Sequence, residues 1–326
     1  MTGKARVEIV NDQMMLGPVS VSFQRTLRIP ETGLHPLPPG LGRFPLRRVE
    51  DYPATAPAEW LARGGVMLPI YQREAMWLSF GAAEPSALQV GVGKVCAVSG
   101  LPWIEHLVKD PQNYVVLPDQ PWLDGINAGD GFIRQFVAVP LGSGATVEGQ
   151  VTGEETHGGV QLRAVGLTAA ALAAWHAAQQ AIELCCDEFD ATGAMPAPCG
   201  ASMGLGAGGR MRQEVYADDR PLTDYDESGA LRVFVHLCSA EQWTAITGEV
   251  PPATPVDRDA YVSAGLPWFD YYDADAENLA ASAILAKVKT VGETFGEPQN
   301  PFVPVDPTTV IAVGGVSPDP VTDGTW

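Results

Sequence analysis

The segment from Gly200 to Gly204 has the residue types of a nucleophilic serine site. Its sequence, G-A-S-M-G, matches the G-x-S-x-G motif, in which the serine sits on a sharp turn between a strand and a helix. A serine hydrolase also needs an acid and a histidine later in the chain. The histidine that follows Ser202 is His236, and it lies in V-F-V-H-L-C, a run typical of a strand. A hydrolase that uses Ser202 and His236 is therefore kept as an alternative function.

A second glycine motif, G-x-G-x-x-G, begins at Gly204. Such a motif binds dinucleotide phosphates when it follows a strand and opens a helix. Here prolines precede it and a strand-like segment, Arg210 to Tyr216, follows it, so we predict a flexible or turning loop and no dinucleotide site. Free backbone amides beside arginines would still suit a carboxylate or a phosphate. The predicted anion site consists of Gly204, Gly206, Gly208, Gly209, Arg210 and Arg212.

Two aspartates, Asp124 and Asp130, follow Trp122 in a glycine-rich segment. With Glu148, Glu154, Glu155 and the similar segment L-P-W-F-D at 266–270, they are candidates for one site. Aromatic side chains beside carboxylates are typical of sugar-binding and acid–base sites, in which two carboxyl groups flank the bond that is cleaved. The alternative is that the tryptophans anchor the core at strand ends. The hydrolase hypothesis places a cleft between residues 122–130 and 200–212. Its candidate catalytic residues are Asp124, Asp130, Ser202 and His236.

Thiols and carboxylates do not occur with the spacing of a metal site. Cys185, Cys186, Cys199 and His176 have the right donor atoms for zinc, but adjacent cysteines on a helix point about 100° apart, and the chain has no C-x-x-C pair. A calcium-loop-like start at residue 224 lacks the glutamate required at position 12, where Val235 stands. We predict no metal site and no cofactor.

Composition and charge exclude several classes of partner. The chain has 326 residues, 46% of them hydrophobic, and a net charge of −19, which disfavours nucleic acids and anionic membrane surfaces. No run of 18 apolar residues predicts a membrane span. The first residues lack the apolar core of a signal peptide, and five cysteines are an odd number, so reduced thiols and a cytoplasmic location are expected.

The stretch from Pro121 to Val165 predicts the architecture that must hold these residues. Short apolar runs alternate there with glycines, as in strands joined by tight turns. We predict a β-rich α+β body of short, mainly antiparallel strands, sandwich or barrel-like, with an Ala-rich helix inserted. The predicted strands lie at residues 7–29 (two, around Gly17-Pro18), 66–80, 88–98, 114–117, 132–139, 145–151, 159–165, 210–216 and 231–237.

Helical periodicity and capping residues predict five helices. They lie at residues 57–62, 167–189, 239–247, 257–264 and 276–291, and Ser239 with Gln242 forms a capping box for the third. The predicted organisation is a β-rich part of the main body at 1–165, the helical insertion at 166–199, an α+β part of the same body at 200–296, and an extended or disordered arm at 297–326.

Several phrases of the sequence resemble a widespread family of uncharacterised bacterial proteins, some of which are labelled integral membrane proteins. They include F-Q-R-T-L-R-I-P-E-T-G, P-D-Q-P-W-L-D-G-I-N-A-G-D-G-F-I-R-Q-F and M-G-L-G-A-G-G-R-M-R-Q. The resemblance covers roughly residues 21–291 and implies no activity, cofactor or catalytic residue. The membrane label does not suit a chain without a predicted span, and the Ala-rich helix with C-C-D-E-F is the part least like the family.

These observations favour a soluble, cytoplasmic structural or interaction protein that self-associates as a homo-oligomer. Two alternatives stay open: a hydrolase-type enzyme with the cleft described above, and a protein that binds a small anionic ligand at Gly204–Arg212.

Overall fold

The computed structural model describes residues 7–31, 33–35, 37–129, 132–182, 203–252, 279–280 and 282–296. Within them, sixteen strands form one hydrogen-bonded network in which most neighbours are antiparallel. The strands are β1 (Val7–Val10), β2 (Gln13–Leu16), β3 (Val19–Thr26), β4 (Leu34–His35), β5 (Arg47–Arg48), β6 (Val66–Pro69), β7 (Ala75–Ala82), β8 (Ser86–Val92), β9 (Val95–Cys96), β10 (Val115–Leu117), β11 (Trp122–Leu123), β12 (Gly125–Gly129), β13 (Phe132–Pro140), β14 (Val160–Gly166), β15 (Met203–Arg212) and β16 (Leu231–Cys238).

Three of the five described helices lie between strands along the chain and two follow β16, and four of the five have eight residues or fewer. In the described part of the chain they are α1 (Ala58–Arg63), α2 (Val147–Thr152), α3 (Ala169–Ile182), α4 (Ala240–Thr247) and α5 (Val291–Phe295). Single 3₁₀ turns lie at Val49–Asp51, Leu222–Asp224, Glu227–Gly229 and Leu285–Lys287. The predicted β-rich α+β class is confirmed.

The first half of the strand network runs in the order β1-β2-β3-β7-β13-β15. Strand β3 pairs with β7 along its whole length, from Val19 opposite Ala82 to Thr26 opposite Ala75. Alternate residues of β3 are apolar, and successive side chains of a strand point to opposite faces. Val19, Val21 and Phe23 are accordingly fully buried on one face, as the alternation predicts.

The second half runs in the order β16-β14-β8-β10, with β6 parallel to β16. One residue pair, Met203 opposite Leu237, joins it to the first half. The largest apolar cluster extends from Met14 to Val288 and takes side chains from both halves. A shared core therefore holds the two sets of strands together.

Where local signals are strong, the predicted elements are confirmed. Helix α1 forms where a helix is predicted at residues 57–62, and it buries Trp60. Helix α4 begins with the predicted capping box, in which the Ser239 side chain accepts a hydrogen bond from the backbone N–H of Gln242 and the Gln242 side chain accepts one from the N–H of Ser239. The described part of the Ala-rich helix begins at Ala169, after Thr168.

The strand predicted at residues 145–151 is wrong, because that segment is helix α2. Thr146 caps it by accepting a hydrogen bond from Gly149 N at 2.9 Å, and Gly153 ends it with a positive φ of 83°. The Glu155 carboxylate also accepts hydrogen bonds from the N–H groups of Gly144 and Thr146. Caps at both ends of the segment therefore outweigh its alternating pattern.

The loop predicted for the glycine motif is also wrong, because its residues lie in β15. This strand pairs with β13 from Met203 to Arg212. A Cβ on Gly209 would lie 2.0 Å from Pro30 O, and one on Gly206 would lie 2.7 Å from Val291 Cγ2. The glycines permit close contact between backbones, which is a known use of glycine in strands.

Several further predictions differ from the structure. Residues 7–29 hold three strands and not two, residues 88–98 hold β8 and β9 joined by a turn, and the strand predicted at 210–216 ends at Arg212. The strand predicted at 66–80 is two strands separated by a turn, in which Arg73 has a φ of +72°. The described part of the helix predicted at 276–291 contains a 3₁₀ turn followed by Thr290, which caps α5. The helix predicted at 257–264 and the arm at 297–326 lie outside the described residues.

Candidate functional site

An open cavity of about 570 Å³ lies beside β1, the start of β6, and the strands β14 and β16. Its volume is in the range of sites for small molecules. Among the side chains that line it are Arg63, Lys94, Trp103, His157 and Phe234. Sequence reasoning selected none of these five residues.

Lys94 lies on the two-residue turn that joins β8 to β9. Gly93 and Lys94 both have positive φ, at 55° and 67°, as in the hairpin turns that match the twist of paired strands. The backbone of Lys94 is fixed on both sides, since its N–H donates to Gln161 Oε1 at 2.8 Å and its carbonyl accepts from Trp103 N at 2.8 Å. No acidic group among the described residues forms an ion pair with its ammonium.

Arg63 ends α1 and supplies a second cation to the cavity. Its guanidinium lies over the Phe234 ring at 5.2 Å, and one of its N–H groups donates to the carbonyl of His157 at 3.4 Å. In the described part of the chain, no carboxylate pairs with it. Arg63 and Lys94 therefore add to one cavity of an acidic protein two positive charges that form no ion pair with a described carboxylate.

The other two arginines of the cavity differ, because both are neutralised. Arg48 forms ion pairs with Glu50 and Asp51, and Arg232 forms one with Glu105. These pairs are exposed, and exposed pairs stabilise a fold by little. They leave Arg63 and Lys94 as the cations available to a ligand.

His157 is oriented by a buried carboxylate. Glu148, on α2, is 3% exposed and lies 2.9 Å from His157 Nδ1. It also accepts hydrogen bonds from the backbone N–H groups of Thr156, His157 and Gly158, at 3.3, 2.9 and 2.8 Å. Because the carboxylate can only accept, Nδ1 carries the proton in the neutral ring. Nε2 is then the nitrogen with a free lone pair.

His236, the base predicted for a hydrolase, is buried in β16. It is 2% exposed, stacks on Trp60 at 4.5 Å and lies 4.6 Å from the Phe234 ring. Burial lowers its pKa to about 4, so the ring is neutral at pH 7. Its Nε2 lies 2.9 Å from the carbonyl oxygen of Gly64, directly after Arg63. His236 therefore fixes the end of α1 beside the cavity.

Asp124 lies between β11 and β12 and is 2% exposed. Its carboxyl accepts a hydrogen bond from Gln213 Nε2 at 3.1 Å, and its backbone N–H donates to Gln213 Oε1 at 3.0 Å. Burial raises its pKa to about 8. Gln213 lies one residue beyond the segment 200–212 that was predicted to bound a cleft, and at this contact the carboxyl is enclosed and does not face an open cleft.

The predicted anion site includes Arg210, which lies in β15. Arg210 is exposed and lies over the Phe132 ring at 4.4 Å. The backbone around it pairs with β13, and Arg210 and Met211 also pair with β4. Anion binding at Gly204, Gly206, Gly208, Gly209, Arg210 and Arg212 stays a prediction.

Asp130, Ser202, Cys185, Cys186 and Cys199 lie outside the described residues. Within the described part, Cys96 and Cys238 are free and buried, and burial raises the pKa of the Cys238 thiol. No group of three or more histidine, cysteine, aspartate or glutamate side chains there has the arrangement of a metal site.

Comparisons with known proteins found no match among protein-family models, curated proteins or solved structures. The resemblance to the bacterial family thus stays a prediction. None of the helices described here has the length and apolarity needed to cross a membrane.

Local sequence contains a signal for part of the cavity. Gly93-Lys94 between two apolar runs is typical of a hairpin turn. A turn predicted on this basis puts the lysine at the end of a strand. The glutamate–histidine contact spans nine residues and depends on α2, which alternation predicts as a strand. No local pattern in the sequence indicates that α1, the β8–β9 hairpin and β14 lie together around the cavity.

Proposed function

We propose that this protein binds a small anionic molecule with an aromatic or apolar portion in the cavity between Arg63, Lys94 and Trp103. The observation that carries this proposal is the pair of cations without acidic partners in the described chain, both lining a cavity of a protein with a net charge of −19. In such a chain, most cations are expected to lie near a carboxylate. A positive cavity within an acidic surface attracts anions selectively.

The walls of the cavity support a ligand with an aromatic or apolar portion. Trp103 and Phe234 supply aromatic surface, and Val7 and Ile9 supply aliphatic surface. Ligand sites commonly combine such walls with a few polar groups that fix orientation. Phenyl phosphate and benzoate combine a ring with an anionic group, so they are suitable first probes.

The test is a binding titration with phenyl phosphate, benzoate and inorganic phosphate, read by isothermal calorimetry and by thermal shift. The variants are Arg63→Gln and Lys94→Asn, and asparagine tolerates the positive φ of that turn. A hydrogen bond to a charged group contributes about 1.5–3 kcal/mol, so each variant should weaken phenyl phosphate binding by about tenfold or more. Inorganic phosphate should bind more weakly than phenyl phosphate.

Lys287→Asn is the matched control, because Lys287 is exposed and does not line the cavity. It removes the same charge from the protein and should leave affinity unchanged. A probe at 100 times its Kd stabilises the fold by about 2.7 kcal/mol, which a thermal shift detects. The proposal fails if no probe binds at millimolar concentration, or if Lys287→Asn weakens binding as much as Lys94→Asn.

Self-association, the function favoured by sequence, stays a separate proposal. Sedimentation of the full chain at micromolar concentration tests it, and a strict monomer would exclude it.

A further inference from the structure

The pair formed by Glu148 and His157 has the arrangement of a general base. A buried carboxylate holds Nδ1–H at 2.9 Å, and the histidine side chain is 40% exposed where it lines the cavity. In enzymes that use a carboxylate–histidine pair, the carboxylate fixes the ring and stabilises the imidazolium that forms. Four hydrogen bonds to the carboxylate, three of them from backbone N–H groups, fix Glu148 in turn.

We infer that His157 is a catalytic general base for the hydrolysis of small carboxylic esters that carry an anionic group. This inference rests on the proposed function, because it assigns Arg63 and Lys94 as the groups that hold the substrate. It adds an activity to binding and names the bond that is cleaved. Glu148 is the positioning residue, since it acts through His157.

The reaction needs only water as a second reactant. His157 Nε2 removes a proton from water while the water oxygen forms a bond to the ester carbonyl carbon, and the carbonyl π electrons move to its oxygen. The ammonium of Lys94 stabilises that oxyanion. When the carbonyl re-forms, the bond to the alcohol oxygen breaks and the alcohol takes the proton from Nε2. The products are a carboxylic acid, which ionises in water, and an alcohol.

The charges of the cavity favour this substrate class. One base is sufficient for ester hydrolysis, because the imidazolium returns the same proton to the leaving group. One cation then faces the oxyanion and a second remains for an anionic group elsewhere on the substrate. Arg63, held over Phe234 at 5.2 Å, supplies that second cation beside an aromatic wall.

The test measures release of para-nitrophenol from an anionic ester, mono(para-nitrophenyl) succinate, and from neutral para-nitrophenyl acetate. The wild type should have a higher kcat/KM for the anionic ester, and Arg63→Gln should remove the preference. General base catalysis contributes about 10²–10⁴-fold, so His157→Gln should lower kcat by about 100-fold or more. It should keep most of its affinity for phenyl phosphate.

Two further variants separate the roles of the pair. His106→Gln is the control, because His106 is an exposed histidine that does not line the cavity, and its kcat should equal that of the wild type. Glu148→Gln keeps an acceptor oxygen but removes the charge that stabilises the imidazolium. It should lower kcat and move the acid side of the pH–rate profile to lower pH, which a merely structural role would not do.

Several outcomes would overturn the inference. If phenyl phosphate binds in a Lys94-dependent way but His157→Gln hydrolyses the anionic ester as fast as the wild type, catalysis by His157 is excluded and the proposed function stands. If neither the phosphate nor the ester binds, both fail. If Ser202→Ala abolishes hydrolysis while His157→Gln does not, the serine is the nucleophile and His157 is not the base.

Discussion

Replacing Asp124 with asparagine should make the protein clearly more stable at pH 8 and should stabilise it much less at pH 5. The carboxyl is 2% exposed and accepts hydrogen bonds from two neutral side chains, the amide of Gln213 at 3.1 Å and the indole of Trp122. Burial disfavours the ionised form and raises the pKa to about 8. Asp124 is therefore protonated at neutral pH, when asparagine is its closest analogue in size and hydrogen bonding.

The direction of the pH effect follows from the folded and unfolded pKa values. An aspartate in an unfolded chain loses its proton at about pH 4, whereas the folded protein keeps Asp124 protonated to about pH 8. The contribution of this group to stability is fully present below pH 4 and is lost as pH rises to 8, because only the unfolded state ionises in that window. At about 1.36 kcal/mol per pH unit, the loss from pH 5 to pH 8 is at most about 4 kcal/mol.

Urea unfolding of wild type and Asp124→Asn at pH 5 and pH 8 measures this effect. Other groups titrate equally in both proteins, so the difference between them isolates Asp124. From pH 5 to pH 8 the variant should gain up to about 4 kcal/mol relative to the wild type. The control is Asp219→Asn, an exposed aspartate whose removal should change stability by about 0.5 kcal/mol or less. If the variant and the wild type differ in free energy of unfolding by the same amount at pH 5 and at pH 8, the reasoning is refuted. The carboxyl would then be ionised in the folded protein.

Two further predictions concern packing within the strand network. Glu74→Gln should cost about 3–5 kcal/mol, because it leaves the guanidinium of Arg25, which is fully buried, without its neutralising carboxylate. The double variant Arg25→Met, Glu74→Leu should recover much of that loss of stability. A double-mutant cycle measured by chemical denaturation tests this. If the double variant is as unstable as the single variant, the prediction is contradicted. Gly125→Ala would put a methyl carbon 1.8 Å from a carbonyl oxygen of β13, so we expect a loss above about 4 kcal/mol or no folded protein. The control Gly166→Ala meets its neighbour at 3.4 Å and should leave the melting temperature within a few degrees.

Sequence reasoning succeeded where neighbours along the chain decide the structure. The alternating apolar residues of β3 predict its buried face, and Ser239 with Gln242 predicts the start of α4. The same local reasoning failed at residues 203–209, where glycine usage predicts a turn. The reason is that Gly206 and Gly209 are required by Val291 and Pro30, which are about 80 to 180 residues away along the chain. The local sequence of residues 203–209 does not reveal such close contacts with distant parts of the chain.

The two cations and the histidine of the candidate site were missed for the same physical reason. The position of Glu148 depends on helix α2. The capping residues Thr146 and Gly153 favour this helix more strongly than the alternating pattern of the segment favours a strand. Asp124 and His236 were selected for their chemistry, yet both are enclosed, which is a property of long-range packing. Residue type can nominate a catalytic group, but only the fold decides whether solvent or a ligand reaches it.

The backbone of Lys94 supports a functional role for its side chain. A lysine at a φ of +67° is in the left-handed region, which costs a residue with a Cβ about 1–2 kcal/mol and which asparagine, aspartate and glycine tolerate better. The equivalent two-residue turn between β1 and β2 has Asn11 and Asp12 at φ values of 50° and 57°. That turn uses the residue types that suit the geometry, whereas the turn beside the cavity carries a lysine. Strain of this kind is concentrated at functional sites. Lys94→Asn should therefore keep or raise the free energy of unfolding while it weakens phenyl phosphate binding, and a variant that lost both would show that the lysine serves the fold.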